Sequence, residues 1–286
     1  MLARSLHELY HEYNRDDSAS DPVHLVRPFS RPADREIAGF CAAALAFGRV
    51  ASVIHSIDIL LKIIGPHPAD FVRGFDPAQP HPGLRAMVHR WTRGDDLAAL
   101  LWMLRQMLEQ SGSVERFFAD GLSDDDEDVG AALESFSERA MRLDIKRAYG
   151  RVPRRPGVCY FFPRPSRGSA CKRLNLFLRW MVRHDAIDPG GWRAVSASKL
   201  VVPLDTHVIR LGQCLRLTRY TSPGWRMAAD ITASLRRLDP DDPVRFDFSL
   251  CHLGMRNACG FGRRQGDSQC PLKGLCRPRS RSRAHA

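Results

Sequence analysis

The sequence lacks any apolar run near the ~18 to 20 residues that span a bilayer. Its first segment, MLARSLHELYHEYNRDD, has neither the unbroken apolar core nor the cleavage site of a secretory signal. These absences give the expectation of a soluble, cytoplasmic protein with no membrane partner. Period-two alternation of the kind that marks strands is also nearly absent, and no internal repeat is found. Low complexity is confined to the closing RPRSRSR. What remains is a chain of 286 residues, 44% hydrophobic, long enough for one large or two small packed domains.

The charge is strongly one-sided, at +11, and arginine-rich. Each Lys or Arg set near a phosphate releases a condensed counterion, so such a balance favours a polyanionic partner, with nucleic acid the first candidate. A nucleoid-associated location follows as an expectation.

Helical periodicity dominates. Leu2, Leu6, Leu9, Tyr10 and Tyr13 form one stripe, and Ile37, Phe40, Cys41, Ala44, Leu45 and Phe47 a second that stops at Gly48. Further helices are expected over 52–64, 84–91, 96–108, 130–149, 172–182, 206–217, 225–238 and 244–253. Ser222 before Pro223 and Asp242 before Pro243 look like caps ahead of a proline that the first helical turn tolerates. The fold class is therefore all-α. The acidic stretch 121–130 reads as a solvated turn with helix-capping carboxylates. The stretch 151–174 is less ordinary: it mixes arginines, prolines and glycines with the consecutive aromatics Tyr160, Phe161 and Phe162.

Two residues carry candidate chemistry. Lys172 opens a helix after the small turn Arg167-Gly168-Ser169-Ala170, where the helix dipole and Arg173 disfavour an ammonium and should lower the amine's pKa. Asp205, thirty-three positions later, ends an apolar run and begins another helix, where an aspartate normally caps free N–H groups. An amine that attacks C1′ of a sugar and a carboxylate that stabilises its cationic character are the parts of an N-glycosidic cleavage with a Schiff-base step. The target base must leave the stack. Tyr160, Phe161 and Phe162 could line its pocket, and Ala46-Phe47-Gly48-Arg49 could fill the gap left behind.

PLDTHVIRLGQCLRL, residues 203–217, resembles the VDTHV-R-R-LG stretch of the endonuclease III and adenine glycosylase branch of the helix-hairpin-helix DNA glycosylase superfamily. LCHLGMRNAC, residues 250–259, resembles the helix leading into that branch's iron–sulfur loop, and CPLKGLC, residues 270–276, has the spacing of its last two ligands. GSACKRLNLFLRWM, residues 168–181, and IAGFCAAALAFGRV, residues 37–50, look like a bacterial family known chiefly as a domain of unknown function. The superfamily's L-P-G-x-G hairpin is missing. The lysine-to-aspartate separation is similar to that of the archaeal 8-oxoguanine glycosylases.

The resemblance implies a two-lobed fold, with residues 1–32 packing on the C-terminal lobe, a middle lobe over 33–183, a C-terminal lobe over 184–258, and a cysteine-rich loop and basic tail over 259–286. It implies a monomeric base-excision glycosylase and AP lyase acting on damaged double-stranded DNA, with an oxidised purine such as 8-oxoguanine the leading substrate. Lys172 and Asp205 are then catalytic. Phe47, Arg49, Tyr160, Phe161, Phe162, Arg167, Gly168, Ser169, Arg173, His207 and Arg256 are expected at the DNA or the everted base. The alternatives are a non-catalytic nucleic-acid-binding protein on the same scaffold and a structural metal protein.

Four of the eight cysteines crowd the end of the chain, which without an export signal points to metal rather than disulfides. Cys251, Cys259, Cys270 and Cys276 are expected to hold a [4Fe-4S] cluster, with zinc, joined or not by His252, as the alternative and a vestigial, metal-free loop as the third outcome. The spacing departs from the C-x6-C-x2-C-x5-C of the family loop, and Asp267 stands where the second ligand of that loop would be.

Overall fold

The computed structural model describes residues 1–15, 21–255 and 270–276. The first stripe becomes α1 (Leu2–Tyr13), which buries Leu6 and Leu9. The second becomes α2 (Pro32–Leu45), whose alanines and Phe40 are buried on nearly every side, as befits a central helix. A four-residue turn leads to α3 (Val50–Ile64), stopped by Gly65 at φ 75°. Two short helices follow, α4 (Pro68–Gly74) and α5 (Pro82–Ala86), each admitting its proline in the first turn. The longest helix is α6 (Gly94–Ser111), ended by Gly112 in the left-handed region. Then come α7 (Val114–Ala119), α8 (Gly130–Ala140), α9 (Lys146–Tyr149), α10 (Lys172–Val182), α11 (Thr206–Cys214), α12 (Trp225–Arg236) and α13 (Asp247–Met255).

The fold is mostly helical, as expected. One departure is a small hairpin of β1 (Val88–His89) and β2 (Thr92–Arg93), pairing Val88 with Arg93 and His89 with Thr92, where periodicity predicts a helix over 84–91. The stripe over 130–149 is also broken, because a turn at 141–145 separates α8 from α9. Neither proline-led cap holds. α12 starts from Gly224 without a side-chain cap, and the Asp242 carboxylate goes to Arg183 instead of a helix start. In the acidic turn, Asp128 does cap, its Oδ1 accepting the Gly130 N–H at 2.8 Å.

α2 packs against α3, α4 and α10, α6 against α4, α5, α7 and α9, and α13 against α1 and α11. The buried apolar side chains of these helices form one contiguous cluster. Through it runs a buried ionic network. Arg179 Nη2 donates to Asp188 Oδ1 at 3.0 Å and Nη1 to Asp247 Oδ2 at 2.6 Å. Arg183 reaches Asp188, Asp185 and Asp242. Tyr10 of α1 donates to Asp185, so the first helix is tied to the same network. Burial alone would lower the Arg179 pKa, but Asp188 and Asp247 outweigh it and raise it. Among the described residues, no single helix is long and apolar enough to cross a membrane.

Candidate active site

Asp205 caps α11 as the sequence predicts. Its Oδ1 accepts the His207 and Val208 N–H groups at 2.8 and 2.7 Å. Extended backbone at Asp205 (φ −106°, ψ 179°) lets the side chain fold back over the first turn. The second oxygen is also occupied: the Cys251 thiol donates to Oδ2 at 2.8 Å. Cys251 comes from α13, the helix packed along α11. That close packing depends on Gly254, since a Cβ there would lie 2.7 Å from the His207 side chain. His207 itself keeps a buried Nδ1 without a hydrogen-bond partner.

The carboxylate has a second acid close by. Burial raises the Asp247 carboxyl to about 7, Arg179 opposes the shift, and the charge on Asp205 adds to it. Burial, then Asp205 and Asp247, push the Cys251 thiol well above its usual range, so it stays a protonated donor.

Lys172 is the first residue of α10, half-buried and following Cys171, whose φ of 48° is left-handed. Ser169 Oγ accepts the Cys171 N–H and fixes this turn, while Arg167 and Gly168 are exposed. No ion pair joins Lys172 to Asp205. The helices that carry them are connected further along α10, at Arg179, seven positions after Lys172. Arg179 binds Asp247, and Cys251, one turn further along α13, binds Asp205.

Other expected site residues divide sharply. Phe161 and Phe162 are core, 1% and 3% exposed; Phe162 packs on Phe40 and Phe136, so neither lines an open pocket. Arg173 is buried too, and serves as a strut rather than a phosphate contact. Its guanidinium donates to the carbonyls of Ala44 and Tyr160 and lies 3.7 Å from the Tyr160 ring centroid. Burial pulls its pKa down to about 10. Phe47, Arg49 and Tyr160 do reach the surface. They are joined by a residue that sequence reading assigned to a helix: Trp91, at the hairpin tip, stacks on Phe47 with centroids 4.8 Å apart.

The cysteines of the metal expectation are placed as follows. Among the described residues the Cys251 thiol is engaged with Asp205. Cys270 is buried and Cys276 Sγ donates to the Leu272 carbonyl. Cys259 and Arg256 lie outside the described residues. Among the described residues, no group of three or more His, Cys, Asp or Glu side chains is arranged to hold a metal ion. A groove of about 1110 Å³ opens beside the C-terminal end of α11, where Arg210, Arg216 and Arg219 are among its lining residues, and not at Asp205.

A family model described as "Protein of unknown function (DUF2400)" matches residues 21–256. No curated protein and no solved structure matches the chain.

Proposed function

The chain belongs to the DUF2400 family of proteins of unknown function, and from that premise we propose that it is a DNA base-excision glycosylase with a Schiff-base AP-lyase step. The observation that supports the reading is that Asp205 and Lys172 each stand at a helix start, on two helices that both connect to α13. One is a carboxylate that caps α11 and the other an amine in the first turn of α10; the Arg179–Asp247 and Cys251–Asp205 contacts connect α10 through α13 to the start of α11. The proposed substrate is double-stranded DNA bearing a damaged base, an oxidised purine such as 8-oxoguanine first, bound by a monomer of two-lobed helix-hairpin-helix type.

In this reaction Asp205 orients the Lys172 amine and accepts a proton from it. Nζ attacks C1′, and the base departs with the electrons of the glycosidic bond and is protonated. Opening of the sugar ring and loss of the second amine proton give the imine. Asp205 also offsets the positive charge that develops on the sugar. Cys251, Cys259, Cys270 and Cys276 are the candidates for a structural iron–sulfur or zinc site.

Borohydride trapping on lesion-bearing and abasic duplex tests the proposal. Wild type should become covalently linked, the Lys172→Ala variant should not, and Asp205→Asn should slow base release by orders of magnitude. Equal crosslinking by Lys172→Ala removes the enzyme reading at this residue. A second reading, a non-catalytic nucleic-acid-binding protein, is favoured by one observation: both Asp205 oxygens already have protein donors. Duplex binding without any trapping would select it.

A further inference from the structure

The most unusual surface of the described molecule lies away from Asp205. Seven large hydrophobic side chains are exposed among the described residues. Four of them, Val50, Val88, Trp91 and Tyr160, belong to the α2–α3 turn, the hairpin and the loop before α10. Trp91 is 52% exposed and Tyr160 41%. An exposed Trp and Tyr in mutual contact mark a recognition surface more often than a packing accident.

The surface is built, not merely uncovered. Trp91 stacks on Phe47 at an interplanar angle of 28°, and the Tyr160 ring meets both edge-on at 5.1 and 5.4 Å. Beneath them Arg173 lies flat against Tyr160. The hairpin is clamped from below by buried His89, whose Nδ1 pairs with Ser56 Oγ and Nε2 with the Phe47 carbonyl, each at 2.9 Å. At the tip Arg90 has φ 55°, a left-handed position that normally selects glycine. Its guanidinium lies over Trp91, and its side chain packs so closely on Gly48 that a Cβ there would come within 3.1 Å. A non-glycine residue held in that conformation, against a glycine at φ 111°, keeps an arginine beside the exposed ring.

Charge selects the occupant. In 46–50 and 88–93 the charged side chains are Arg49, Arg90 and Arg93, with no carboxylate. Asp95 and Asp96 follow at the start of α6, Asp96 being buried and accepting the Arg93 N–H; an aromatic face with arginines beside its rings suits a nucleobase stacked on the ring with its phosphates on the cations. A protein interface would more commonly mix both signs around its rim. We propose that Trp91 and Tyr160, with Arg49 and Arg90, form a stacking platform for an unpaired base of single-stranded or gapped DNA. It rests on the reading above for the identity of the polyanion as DNA, and gives that reading a second contact on the middle of the chain.

The test is fluorescence and binding on the full chain. Trp91 is the most exposed of the five tryptophans, the others being half-buried or buried, so its emission reports the platform directly. Titration with a labelled oligothymidylate of about twelve nucleotides should quench the wild-type emission saturably. Trp91→Phe should lose the quench. Trp91→Ala should bind that oligonucleotide roughly tenfold more weakly, with Tyr160→Ala close behind, while circular dichroism stays unchanged because both side chains are half-exposed. Retained quenching in Trp91→Phe, or wild-type affinity in Trp91→Ala, overturns the proposal. So does failure to bind DNA together with self-association that Trp91→Ala abolishes, which would make this a face between copies. Trapping at Lys172 without any Trp91 effect defeats the platform alone, and quenching without trapping defeats only the glycosylase.

Discussion

Two sets of arginines divide this molecule between them. Arg179 and Arg183 are buried among Asp188, Asp185, Asp242 and Asp247, with every cation facing a carboxylate. Arg49 and Arg90 stand at the surface beside exposed aromatic rings, and Arg173 beneath them has only carbonyls and a ring face. A net charge of +11 does not distinguish the two sets. The first binds α10 to α13 and to the first helix; of the second, Arg49 and Arg90 face solvent while Arg173 braces the rings from below. Net charge alone therefore does not say which guanidinium groups are spent inside the fold; their locations do.

The comparison can be broken at its strongest point first. Arg179→Ala leaves Asp247 buried without its cation and Asp188 with Arg183 alone, and should lower unfolding free energy by about 3–5 kcal/mol in urea titrations. Arg173→Met removes two donors from buried carbonyls but strands no charge, so a loss of about 1–3 kcal/mol is expected. The same variant should leave the salt dependence of DNA binding unchanged, in contrast to the phosphate role its sequence position suggests. A steeper or shallower salt slope in that variant would return Arg173 to the DNA.

Cys251→Ala should cost about 1 kcal/mol through the lost hydrogen bond, and Cys251→Ser should recover most of it. Iron or zinc content in the same variants decides whether the thiol is also a ligand: a loss assigns it to the metal, and unchanged content leaves it with Asp205 alone. Arg49→Ala should stay within about 0.5 kcal/mol of wild type in stability while lowering the salt slope of binding by close to one.

Acidity sharpens the same contrast. Burial lowers the His89 pKa, with its bond to the Phe47 carbonyl opposing the shift, so the ring under Trp91 is held neutral. The unfolded chain takes up the proton first. Stability contributed at neutral pH is therefore lost as pH falls below about 6.5, the ordinary histidine value, toward the lower folded value. A His89→Gln variant should flatten that part of the stability–pH profile, and an unchanged profile would place the titration elsewhere.

The helices were legible where apolar spacing and a stop coincided, as in α2, α3 and α10. They were misplaced where local signals were ambiguous. Val88-His89-Arg90-Trp91-Thr92 carries no glycine or asparagine to announce a turn, because the tip is held by His89 and Gly48 from other segments. Asp205 was readable as a cap and as a candidate acid from its neighbours alone. Its bond to Cys251 was not, since forty-six residues separate them and the cysteine's spacing pointed toward metal. Phe161 and Phe162 were misassigned for a simpler reason: three aromatics in a row cannot all face one way, and only Tyr160 faces out.

The clamp under the hairpin also bears on how the family varies. Ser56 and His89 meet in the interior, yet what they hold steady is an indole at the surface. Among relatives, these two positions should change in concert, and a chain that has lost one should also have released the other and given up the aromatic at the tip.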